Sequence, residues 1–151
     1  MYRTLTLIVV AAAILYGGIL QAQARFTLNA ASDEAVPGWP KMEIEGRSVW
    51  VNPMPALASA DIQGVEPATD RSYGQFVKVA FTDVGAEKMR NLSTAQMNKL
   101  IAMVLDGKLI MAPKVRSVIS NDCIVTGKPP AGLTTDEVRR ILASVNQAKR
   151  N

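Results

Sequence analysis

Apolar residues in this chain follow three spacings, and each spacing predicts a different kind of element. The first is a continuous block, residues 5–20, which is uncharged and mostly apolar. The second is the short run or alternation of a strand. Residues 47–51 form one such segment, ended by Asn52-Pro53-Met54-Pro55, whose prolines keep the chain extended. In residues 76–81, Val77, Val79 and Phe81 share one face. Residues 100–105 are apolar throughout, and Asp106-Gly107 separates them from a second run, 108–111. Asp-Gly between two such runs predicts a type I′ hairpin, because both central positions need positive φ. Pro113 ends or bulges the returning strand, since proline cannot donate to a ladder. Residues 115–119 and 123–126 read as two more strands around a turn at 120–122.

The third spacing is helical. Thr82-Asp83 offers an N-cap before Ala86, Met89 and Leu92. Ser93-Thr94-Ala95-Gln96 has the form of a capping box and predicts that the chain restarts there as a second short helix. At the carboxyl end, Thr134 to Glu137 make a capping box, with Leu133 placed to staple onto Val138. Val138, Ile141, Leu142, Val145 and Ala148 then form one apolar stripe. Residues 58–65 are ambiguous and residues 66–74 read as a turn-rich loop. Residues 25–41 have mixed polarity and no periodicity, so residues 25–46 are expected to be a tether. The domain proper is expected over residues 47–148, as an α+β two-layer sandwich whose mainly antiparallel sheet carries the helices on it.

The amino-terminal block has the three parts of a secretory signal peptide: Arg3 as a positive start, residues 5–20, and Gln21-Ala22-Gln23-Ala24 as a polar end. Ala22 and Ala24 supply the small-x-small pattern of a cleavage site, so residues 1–24 are expected to be removed between Ala24 and Arg25. An uncleaved anchor is the alternative, although the stretch is short of the ~20 apolar residues a span requires. Either way the domain is expected to be exported, to the periplasm or cell envelope. Membrane contact would arise only through a retained segment.

Composition narrows the chemistry. The chain has no histidine, which removes the Ser-His-Asp and Cys-His nucleophile systems. It has one cysteine, Cys123, hence no intrachain disulfide and no thiolate cluster for zinc. Cys123 lies in an apolar run and reads as a small buried residue. No phosphate-binding glycine motif occurs. Asp83, Glu87, Asp106, Asp122, Asp136 and Glu137 could in principle do acid–base work, but each sits where a cap, helix dipole or turn accounts for it. Met89, Met97, Met103 and Met111 lie in apolar patterns and read as core. The net charge of +4 is spread along the chain, without a basic-aromatic stripe, so nucleic acid is not an expected partner. Residue chemistry alone points to a non-enzymatic domain with no cofactor and no metal.

From about Val49 to Val145 the order of motifs resembles the head subdomain of the first periplasmic domain of SecD and the fused SecDF proteins. The resemblance rests on Asp61-Ile62, on Gly85-Ala86 after the 76–81 strand, and on the hairpin carrying Asp106, Gly107, Ala112 and Pro113. It continues through Ile124 to Gly127 and the closing helix. A family glycine before the hairpin appears as Asn98, and a glycine pair at the later turn as Asn121-Asp122. The resemblance implies a ferredoxin-like fold, a structural role for Asp106, Gly107, Ala112, Pro113 and Gly127, and contact with unfolded or emerging exported polypeptides or translocon components. SecD carries a transmembrane bundle linked to proton-driven export, and this chain is expected to act without it. A cell-envelope interaction or scaffold role unrelated to translocation is the competing expectation.

Overall fold

Thr82 and Thr134 each begin a helix, as their positions predict. In the computed structural model, which describes residues 24–151, the Thr82 hydroxyl accepts the Gly85 N–H and opens α1 (Asp83–Ala95). Thr134 accepts the Glu137 N–H while the Glu137 carboxylate accepts the Thr134 N–H, which opens α2 (Thr135–Ala148). Leu133 and Val138 are both buried in the main core, so the hydrophobic staple forms too.

The strands build two sheets. The larger contains β1 (Phe26–Ser32), β2 (Lys41–Ile44), β3 (Arg47–Val51), β4 (Leu57–Ala58), β7 (Leu100–Leu105) and β8 (Lys108–Met111). Its order is β2-β3-β1-β7-β8, with β4 also paired to β1. The smaller sheet, ordered β5-β6-β9, contains β5 (Ile62–Asp70), β6 (Gly74–Phe81) and β9 (Asp122–Thr126). All strand pairs are antiparallel.

The larger sheet curls until β2 approaches β8, giving it a nearly closed, barrel-like form. Inside the curl lie Ala31, Val49, Val51, Leu100, Ala102 and Leu109. Its other face carries Phe26, Leu28, Ile101, Met103 and Leu105 against Val77, Val79 and the apolar sides of both helices. Residues 100–105 are apolar throughout because β7 is covered on both faces.

The α+β class holds, with two antiparallel sheets and two helices. The ferredoxin-like, single-sheet arrangement is not what the strand order gives. The tether is a further correction. Residues 26–32 form β1, the innermost strand of the larger sheet, and Phe26 and Leu28 have no solvent exposure. Their alternation was masked by polar Thr27 and Asn29, which are buried but satisfied. The Thr27 hydroxyl donates to Asn29 Oδ1 (2.8 Å), and Asn29 Nδ2 donates to the Asn52 carbonyl (2.8 Å). The reading of residues 1–24 as a signal peptide lies outside the described residues except at Ala24.

Three local readings also change. Residues 66–70 belong to β5, an edge strand, where Pro67 is tolerated because one side needs no ladder bond. No second helix starts at Ser93. Its hydroxyl is buried and occupied by Arg90 and Ile119, and α1 continues to Ala95. Residues 115–119 are not a strand, since Val115 pairs only through isolated bridging contacts and Ser93 takes the Ile119 N–H.

Leu28→Ala is expected to destabilise the protein by roughly 2–5 kcal/mol in urea unfolding, the cost of a core leucine. A shift below about 0.5 kcal/mol would restore the tether reading.

Candidate functional site

Two motifs that lie apart in sequence meet at Asp61. The residue closes a 3₁₀ turn, Ser59–Asp61, and is buried. One carboxylate oxygen accepts the Ala58 N–H (3.0 Å) and the other accepts the Lys88 ammonium (2.7 Å). The Asp61 carbonyl accepts the Thr82 N–H (3.0 Å), and Gly85 lies directly over it. A Cβ at Gly85 would sit 2.1 Å from that oxygen. Asp61-Ile62 and Gly85-Ala86 are therefore the two halves of one contact, which fixes α1 to the start of β5. Sequence reasoning noted Asp61 only as part of a motif and missed its burial. Lys88, one turn beyond Gly85 on α1, was the available signal.

Asp106 organises a second junction. It adopts φ 51° and Gly107 φ 80°, as the type I′ turn requires. The Asp106 N–H donates to the Arg25 carbonyl (2.8 Å), and its Oδ1 accepts the Arg25 N–H (2.7 Å). Its Oδ2 accepts from Arg140 Nη1 (2.8 Å), and Arg140 Nε donates to Asp136 (2.8 Å). Hydrogen bonds from Arg139 and Arg140 hold Asp136 below the usual carboxylate range, and Asp136 followed by Asp106 raises Arg140. One turn residue thus ties the start of β1, the β7–β8 hairpin and α2 together.

The other motif residues are structural as well. Ala112 is buried inside the curled sheet, and the Pro113 carbonyl accepts the Ile101 N–H (3.1 Å). A Cβ at Gly127 would lie 2.2 Å from the Gly132 carbonyl oxygen. Ala112, Pro113 and Gly127 share the wall of one cleft of about 440 Å³ with Arg47, Lys108 and Lys128. Asp106 and Gly107 lie outside that lining. Asn98 has φ 62°, so asparagine occupies a left-handed position there. Asn121 and Asp122 have no positive φ, and the Asn121 carbonyl instead accepts the Phe81 N–H (2.9 Å).

The smaller sheet has an unpaired edge on each outer strand. Its two edges differ. On β5 the edge is interrupted by Pro67 and by an irregularity between Ile62 and Gly64. On β9 the edge away from β6 is unpaired, and Ile124 is 52% exposed. Val118, in the segment leading to β9, is 51% exposed. A shallow cleft of about 590 Å³ crosses this sheet, with Glu66, Lys78, Asp122 and Ile124 among its lining residues. Cys123 beside it is partly buried, and desolvation followed by the Asp122 charge pushes its thiol up to about 12.

Among the described residues, no helix is long and apolar enough to cross a membrane, and no three His, Cys, Asp or Glu side chains converge as a metal site would require.

The profile of the family described as SecDF, P1 head subdomain, matches residues 33–141. Protein translocase subunit SecD of Acidaminococcus fermentans is 29% identical over 90 residues, covering 59% of this chain and 20% of that protein. SecD of Elusimicrobium minutum is 30% identical over 86 residues, covering 56% and 17%. The chain thus spans about a fifth of the length of these relatives. Among solved structures, one of SecDF, a membrane component that enhances protein export, superposes with a TM-score of 0.61 at 18% identity, covering 82% of this chain and 62% of that one. A second, SecDF in a super-membrane-facing form, gives 0.59 at 20% identity, covering 80% and 19%.

Gly85→Ala is expected to destabilise the protein by roughly 1–3 kcal/mol or more, because the contacted atom is backbone and cannot rotate away. Gly64→Ala, where a Cβ meets nothing within 4 Å, should stay within about 1 kcal/mol. Equal urea midpoints for the two variants would refute the Asp61 contact. Cys123 should react with a thiol reagent at least tenfold more slowly in the folded protein than in urea. Its folded thiol keeps its proton to about 12, whereas an unfolded one loses it near ~8.5. Its contribution to stability is therefore full below about pH 8.5 and declines as pH rises toward 12, a slope that Cys123→Ala should remove.

Proposed function

This chain belongs to the SecDF P1 head subdomain family, and from that membership we propose that it is an exported, non-enzymatic module that contacts polypeptides during protein export. It acts without proton coupling and takes no cofactor. The observation that carries this reading is the unpaired edge of β9 beside exposed Ile124. An extended polypeptide satisfies its own backbone by adding to such an edge, and a neighbouring apolar side chain gives it a place to seat a side chain of its own. Backbone pairing is insensitive to sequence, as a module serving many clients requires.

The small sheet suits the task mechanically. β9 is held by β6 through five paired positions, from Phe76 with Thr126 to Ala80 with Asp122, so a client adds to a supported strand. The opposite edge, β5, is blunted by Pro67 and its irregularity, which limits unproductive pairing there. The SecD relatives named above are described as protein translocase subunits, which supports placing this domain near the export machinery.

A photocrosslinking residue at Ile124 is expected to capture exported polypeptides in transit, and the same residue at exposed Met54 should capture several-fold fewer. Ile124→Lys should reduce association with such clients while changing stability by no more than about 0.5 kcal/mol. Adducts dominated by a single folded envelope protein, with no translocon component, would support a scaffold role instead. Absence of any client adduct would sink the proposal.

A further inference from the structure

Arg25 follows the small-x-small sequence Ala22-Gln23-Ala24 directly, and its backbone nitrogen lies 2.7 Å from Asp106 Oδ1. We propose that cleavage after Ala24 turns this nitrogen into an α-ammonium held by Asp106, so that maturation itself adds a charged link between the amino terminus and the β7–β8 hairpin. The reaction is hydrolysis by a membrane peptidase of the small-x-small class. Water adds its oxygen to the Ala24 carbonyl carbon, the C–N bond to Arg25 breaks, and the released amine takes up a proton at neutral pH.

The position of the new charge is set in advance. The Arg25 carbonyl accepts the Asp106 N–H (2.8 Å), and the next residue, Phe26, is already in register with Leu105. These contacts fix the Arg25 carbonyl, so the nitrogen stays within a single bond rotation of the carboxylate it already faces. Asp106 is only 27% exposed at its side chain, which limits solvent screening of the pair. Its second oxygen is occupied by Arg140 of α2, whose other partner is Asp136. Lys108, the nearest cation on β8, is engaged with Glu137 at 3.6 Å. Each Asp106 oxygen thus faces one donor, and cleavage changes the donor on Oδ1 from a neutral amide to a cation. The bond is charge-assisted through the carboxylate before cleavage, and the ammonium turns it into an ion pair with both partners charged. Ala24 and Arg25 also line a surface cleft of about 480 Å³, so the scissile bond lies at the protein surface.

The test begins with the full chain expressed in an exporting bacterium. Terminal sequencing of the exported product should give Arg25 first. The pH dependence of α-amine labelling should then place its pKa at least one unit above the usual ~7.7–8.0, a tenfold or greater gain in proton affinity. In D106N the value should return to the usual range. If D106N does not accumulate, R140Q, which leaves Asp106 in place, must retain the raised value. A product starting elsewhere, or a wild-type α-amine titrating in the usual range, would overturn the proposal.

Discussion

The pairing of β1 along both of its edges inside the larger sheet is the constraint on which the rest of the structure depends. One edge of β1 pairs with β7 over six positions, from Phe26 with Leu105 to Ala31 with Leu100. The other edge is divided. Thr27 and Leu28 pair with β4, and Ala31 and Ser32 pair with β3. Where the proline segment between β3 and β4 leaves the ladder, Asn52 and Ala56 still donate their N–H groups to Ala30 and Leu28. A strand covered on both edges and buried at five of its seven positions has few groups that water can reach, so a lost bond there costs more than it would at the surface. Gln96 extends the arrangement, since its side-chain amide donates to the Ala31 and Leu100 carbonyls at the end of the same ladder.

The family motifs gain physical meaning from this frame. Asp61 and Gly85 form one close contact that sets α1 on the core, and only glycine leaves room for the Asp61 carbonyl. Asp106 combines turn geometry with bonds to β1 and α2. Gly127 allows the loop before α2 to double back against Gly132. None of these residues lies on the β9 edge. These residues maintain the shape of the head, whereas the surface proposed to meet clients is the backbone edge of β9 with exposed Ile124.

Local signals were read well where one residue's chemistry decides the conformation. Thr82, Thr134 with Glu137, Asp106-Gly107 and the run 100–105 all formed as their types dictate, because caps, positive φ and continuous burial act within a few residues. Arg47–Val51 was legible for the same reason. The misread segments share a different property. β1 carries buried Thr27 and Asn29, β5 carries Pro67 and many polar residues, and Ser93 sits within a capping-box sequence. Asn29 and Ser93 look like turn or cap signals but are satisfied by Asn52 and Ile119, far along the chain, and Pro67 fits because β5 is an edge strand.

The candidate surface was less legible than the fold. Ile124 lies in an apolar run that reads as core, and only the pairing of β9 with β6 alone shows it to be an exposed side chain on an edge strand. Asp106, Gly107 and Gly127 could be named from sequence because their roles begin with local backbone geometry. By itself the sequence determined the helix caps, the hairpin, the class of fold and the absence of histidine- or thiolate-cluster chemistry, all of which follow from neighbouring residues or from composition. Only the tertiary structure decided that the presumed tether is the innermost strand, that Asp61 meets Gly85, and that Arg25 reaches Asp106. Those outcomes depend on which distant groups supply hydrogen bonds in the absence of water, and nothing in the spacing of nearby residues encodes that choice.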